Sequence, residues 1–158
     1  MRFLILLLLC PLAHAEFNVE IGKGNLSSEW TGAVIVVNER WDNWLIGIGY
    51  TGEQWVTPDG ERDWFAQYGN GRVAPPTFVD RNLFIHGQRL LRWRDFEIGI
   101  GAAYFQNTNR ALGQKFVVSA SAGYHFNKHL SLNFRHFSNA GSGQSNMGQD
   151  ALLIGWTF

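Results

Sequence analysis

His136, Ser138 and Asp150 are the residues of this 158-residue chain whose types and spacing could do chemistry. Ester hydrolysis near neutral pH needs a hydroxyl made nucleophilic, a base to take its proton and a group to orient that base. Serine, histidine and aspartate supply those three functions. In a β-strand alternate side chains share a face. The segment Leu130-Ser131-Leu132-Asn133-Phe134-Arg135-His136-Phe137-Ser138 therefore sets Leu130, Leu132, Phe134, His136 and Ser138 on one side. The final arm sets Asp150, Leu152, Ile154, Trp156 and Phe158 on one side in the same way. Closing these arms into a hairpin brings His136 and Asp150 to the same end of one apolar face. Taken alone, His-x-Ser also fits an interfacial pair bonded to water or lipid headgroups. An ionisable trio turned toward lipid is costly to keep without a use, which favours the chemistry.

The elements that must position the trio are strands. Eight strand-like segments are expected, at 16–23, 28–37, 43–52, 82–93, 96–106, 114–126, 129–138 and 149–158. Alternation is clearest in the sixth, where Phe116, Val118, Ala120, Ala122, Tyr124 and Phe126 oppose Lys115, Ser119, Ser121, Gly123 and His125. The third sets Trp44, Ile46, Ile48 and Tyr50 against Asn43, Gly47 and Gly49, and the fifth repeats the pattern. One face suits lipid and the other, small or polar, suits a narrow lumen. Tight connections are expected at 40–42, 94–95 and 127–128, and longer polar ones at 24–27, 53–81, 107–113 and 139–148. The longest of these has room for a short extra element around 63–68. Trp41, Trp44, Trp93, Phe126, Trp156 and Phe158 then form an aromatic girdle at the short-turn rim, with Tyr50, Trp55 and Tyr104 toward the other. The pattern predicts an all-β fold, an eight-stranded antiparallel transmembrane β-barrel of the outer-membrane type. A spanning sheet in hydrocarbon must close, because each unpaired backbone group there costs several kcal/mol. The competing arrangement, a soluble sandwich, would need a second sheet over the faces of the last strands.

Composition agrees. Thirteen basic and thirteen acidic residues balance, so nothing points to nucleic acid. Residues 1–15 read as an export signal: Arg2 supplies charge, an apolar run follows, and Ala13-His14-Ala15 offers a small-x-small cleavage site. That leaves one domain, 16–158. The sole cysteine, Cys10, falls inside the signal, so a mature chain would carry no disulfide. Gly47-Ile48-Gly49 and Gly99-Ile100-Gly101 are fragments of a dinucleotide pattern without its βαβ context, and small lumen-facing residues account for them. His86, His125 and His129 lack metal-ligand spacing, so no metal and no cofactor are expected. Glu20, Glu97 and Arg135 are expected to join a lumen network. Arg89 falls on the lipid face, where snorkelling to a headgroup is its only evident account.

The run His136-Phe137-Ser138-Asn139-Ala140-Gly141, then Asn146 and Asp150, resembles the PagL-type lipid A 3-O-deacylases. The strand count and loop pattern are similar to that family over essentially the whole mature chain. The resemblance implies Ser138 as nucleophile, His136 as base and Asp150 as the acidic member, a position where the family usually carries Glu. It also implies an oxyanion hole from the backbone N–H near Ala140 and the side chain of Asn146, with Asn139 supporting the loop. Gly141, Gly143 and Gly148 would let that loop bend; ordinary turn chemistry also accounts for both asparagines. Phe137, where the family often has Tyr, is expected to face the lumen and matter little.

The reading is an outer-membrane serine esterase acting on lipid A within lipopolysaccharide. Two rivals stand beside it: a non-enzymatic small barrel for adhesion or membrane integrity, and an acyltransferase barrel that adds a chain rather than removing one. Acyl-chain preference and homodimer formation are not legible.

Overall fold

The computed structural model describes residues 16–24, 32–56, 77–108, 112–140 and 148–158. The expected export signal, the extra element around 63–68 and Asn146 lie outside the described residues. Ten strands follow in chain order: β1 Glu16–Gly24, β2 Ala33–Trp41, β3 Trp44–Thr51, β4 Gln54–Val56, β5 Thr77–Val79, β6 Asn82–Trp93, β7 Phe96–Phe105, β8 Phe116–His125, β9 Leu130–Ser138 and β10 Gln149–Thr157. All except β4 and β5 join in one closed antiparallel barrel in the order β1-β10-β9-β8-β7-β6-β3-β2. The expected eight-stranded barrel is thus found, and no helix occurs among the described residues.

Closure runs through β1 and β10, where Asn18 pairs with Thr157 and Gly24 with Ala151. The side-chain parity read from the sequence holds around the wall. In β9, Ser131, Asn133, Arg135 and Phe137 are buried, while Leu132 and Phe134 are exposed. In β10, Ala151 and Leu153 are buried, and Leu152, Ile154 and Trp156 are exposed. Exposed aliphatics such as Ile35, Ile48, Ile85 and Ile98 make an outer surface suited to lipid.

Two tiers of side chains fill the lumen. Toward the long loops, Phe84, Phe105 and Phe137 pack ring to ring with centroids 5.0–5.3 Å apart. Leu112, from the β7–β8 loop expected to lie outside, folds in and is fully buried in the same cluster. Toward the short turns the filling is polar. Arg135 Nη2 donates to Glu20 at 2.7 Å and Nη1 lies 3.0 Å from Nδ1 of His86. His86 Nε2 in turn reaches Asn38 Oδ1 at 2.8 Å, and Asn38 donates to Asn18 at 3.1 Å. The same Nη1 of Arg135 stands 3.1 Å from Nε2, so the guanidinium faces both ring nitrogens of His86. A Cβ at Gly47 would come within 2.3 Å of Asn38 Oδ1, which is why the smallest residue lies beside this chain of bonds.

Glu20, Glu97 and Arg135 all lie buried in the lumen as expected, with Glu97 bonded to Arg40 at 2.6 and 2.9 Å toward the turn end. Two expectations need correction. The first short connection is Asp42–Asn43 rather than 40–42, with Trp41 paired to Trp44 and Asp42 at φ 52. A two-residue hairpin turn matching strand twist wants positive φ at its first position, and Asp tolerates it. The second strand accordingly ends at Trp41, not Val37. The strands β4 and β5 form a small sheet of their own.

The barrel's tilt shows in one lateral row of outward residues. Trp44, Arg89, Ile100, Ala120, His136 and Asp150 are successive cross-strand partners. Trp44 adjoins a short turn, whereas Asp150 adjoins a long loop. The row therefore climbs from one rim to the other, as inclined strands require.

Candidate active site

β9 and β10 place His136 directly opposite Asp150. Both side chains are 41% exposed on the outer wall, and His136 Nδ1 lies 2.6 Å from Asp150 Oδ1. A carboxylate accepts, so Nδ1 carries the hydrogen and Nε2 keeps its lone pair for a proton from elsewhere. On the other side of His136 the cross-strand partner is Ala120 of β8. A small residue there leaves the imidazole approachable from the membrane.

Ser138 stands two residues along the same outward face, opposite Val118. The backbone N–H of Ala140 donates to Ser138 Oγ at 3.2 Å. Ala140 reaches that position with φ 54, a conformation costly for a residue with a side chain. Asn139, between them, is buried. Asn146, the other expected donor, lies outside the described residues.

Two further residues shape the site. Gly148 has φ +68, and a Cβ there would lie 2.9 Å from His136 Cε1. Its bare backbone thus closes one side of the imidazole. In the sequence Gly148 reads only as a bend; nothing in a lone glycine announces the ring beside it. Phe137 carries the second contribution. It points inward as expected, but it is 1% exposed and anchors the strand between His136 and Ser138 to the aromatic tier. Its role is larger than its parity suggested.

The other histidines among the described residues lie away from this site. His86 is in the lumen, His125 lies 3.7 Å from Glu97, and His129 Nδ1 is bonded to the Thr157 carbonyl. Among the described residues no three His, Cys, Asp or Glu side chains gather as metal ligands.

A hydrogen-bonded His–Asp pair with a serine beside it, on the outside of a closed barrel, narrows the field of relatives sharply. Residues 17–157 match the family described as lipid A 3-O-deacylase (PagL). The chain belongs to the PagL family. A comparison with curated proteins finds no match. The PagL match spans every strand of the barrel, from β1 to the last residue of β10, so it describes the scaffold as well as the site.

Proposed function

We propose that the protein is an outer-membrane serine esterase that hydrolyses the 3-O-linked acyl chain of lipid A. The observation that carries this reading is the 2.6 Å bond between His136 and Asp150 on the lipid-facing wall, one strand step from Ser138. Membership of the PagL family supplies the substrate class.

Ser138 Oγ attacks the ester carbonyl carbon as His136 Nε2 takes its proton. Asp150 holds the ring through Nδ1–H and stabilises the imidazolium that forms. The developing oxyanion needs preorganised donors, and the Ala140 N–H beside Ser138 Oγ is suited to be one. The bond from the carbonyl carbon to the sugar's 3-oxygen then breaks as His136 gives its proton to that oxygen, which leaves as the 3-hydroxyl, and an acyl-serine remains. Water, deprotonated by His136, releases the fatty acid and regenerates Ser138. Acyl chains of a lipid in the outer leaflet lie against the barrel wall, so an outward site meets the ester without extracting the lipid. The export signal expected at 1–15 fits delivery to that membrane, with the short turns on the periplasmic side.

Mass spectrometry of lipid A from cells carrying the wild-type chain, Ser138→Ala or His136→Ala tests the proposal. The wild type should remove one acyl chain, and each variant should remove none while still running as a folded, heat-modifiable barrel. Full deacylation by either variant overturns the assignment. An unchanged lipid A in wild-type cells favours a non-enzymatic barrel, and added mass an acyltransferase.

A further inference from the structure

Arg89 has no part in this hydrolysis, yet it stands on the outer wall among Ile85, Leu91, Ile98 and Ile100. Its guanidinium carbon lies 5.3 Å from the ring centroid of Trp44. Among the described residues no carboxylate pairs with it. Trp44 opens β3 directly after the Asp42–Asn43 turn and shares its rim with exposed Trp41, Trp93 and Phe96. The charge therefore sits in the aromatic belt, at headgroup depth, on the rim opposite His136.

Space for alkyl chains adjoins it. The next outward residue on β6 is Gly87, where a Cβ would meet nothing within 4 Å. Its partners on that face are Ile46 and Ala102, which leaves a recess in an otherwise bulky wall. On the other flank a recess of about 670 Å³ is bounded by Leu91, Ile98, Ile100 and Ala120 on the outer face, and reaches Asn43 and a second guanidinium, Arg92, at the rim.

We propose that Arg89 and these two recesses form a binding site for an anionic glycerophospholipid of the leaflet at the short-turn end. The guanidinium, braced against Trp44, takes the phosphate through its forked N–H groups. The acyl chains lie over Gly87 and along Ile98–Ile100. Zwitterionic lipids present the same phosphate but carry their own compensating ammonium. With no carboxylate partner among the described residues, the arginine selects the uncompensated charge.

The test is lipid retention by the whole barrel, taken from bilayers of phosphatidylcholine with a minority of phosphatidylglycerol and read by native mass spectrometry. Wild type should retain phosphatidylglycerol enriched about fivefold over the bulk ratio, the worth of one basic residue near a membrane surface. Arg89→Gln should fall to the bulk ratio, Arg89→Lys should keep part of the enrichment, and Lys115→Gln at the other rim should change nothing. Should Arg89→Gln fail to fold, Trp44→Leu, which leaves the charge unbraced, should lower the enrichment. Retention in bulk proportion by wild type, or undiminished enrichment in Arg89→Gln, overturns the proposal. Lipid A deacylation by Arg89→Gln should match wild type, so this site and the esterase reading fail separately. Lost deacylation with phosphatidylglycerol retention intact would instead give the recesses to the substrate.

Discussion

Asp150 Oδ1 accepts a hydrogen bond from His136 Nδ1 at 2.6 Å although both side chains face outward from the barrel. The pairing fixes one ring nitrogen and frees the other. Asp150→Ala should therefore leave a correctly folded barrel with a poorly oriented base. Its loss of kcat should be roughly two orders of magnitude smaller than that of Ser138→Ala, because an orienting carboxylate contributes less than the nucleophile. Single-turnover deacylation of purified lipid A by the two variants measures the gap.

Gly148 offers a sharper probe of ring placement. Gly148→Ala should push the imidazole away from its present position, given the 2.9 Å approach to Cε1, and lower kcat about tenfold with KM little changed. Backbone strain alone is controlled by Gly113→Ala, since Gly113 has the same φ of 68 in another loop. Equal kcat losses in the two variants would rule out a role in positioning the ring.

Phe137 links the site to the lumen. Phe137→Ala should cost about 3–5 kcal/mol of stability by opening a cavity between Phe84 and Phe105. It should also lower activity, because the strand bearing His136 and Ser138 loses its inner anchor. Urea titration of the folded fraction, followed by gel mobility, gives the first quantity. Phe137→Leu, which refills most of the space, should recover most of both.

Arg135 and Glu20 form a buried pair in which Arg135 is 1% exposed. Glu20→Ala should destabilise the barrel by about 3–5 kcal/mol, since an uncompensated guanidinium stays behind in the lumen. The double variant Glu20→Ala with Arg135→Met should be more stable than Glu20→Ala alone. The same urea titration decides it.

Much of this arrangement was legible because period-two alternation is strong where the site lies. Ser131 through Ser138 and Asp150 through Trp156 alternate cleanly, so their faces, and the meeting of His136 with Asp150, follow from counting. The second strand resisted because Ala33-Val34-Ile35-Val36-Val37 is apolar throughout and carries no period. The lumen partners resisted for another reason. Sequence places Glu97, Glu20 and Arg135 on the inner face, but the stagger between strands sets the height of each. That stagger puts Glu97 with Arg40 and leaves Arg135 to Glu20. The loop glycine and the inward-folding Leu112 depend on contacts between distant segments, which no local pattern encodes.

The double filling of the lumen has a consequence for the route to the site. Phe84, Phe105, Phe137 and Leu112 fill one end and the Glu20–Arg135–His86 chain occupies the other, so among the described residues the interior is built as a packed post. For the proposed esterase, the substrate would therefore reach His136 and Ser138 sideways, by diffusion in two dimensions along the wall.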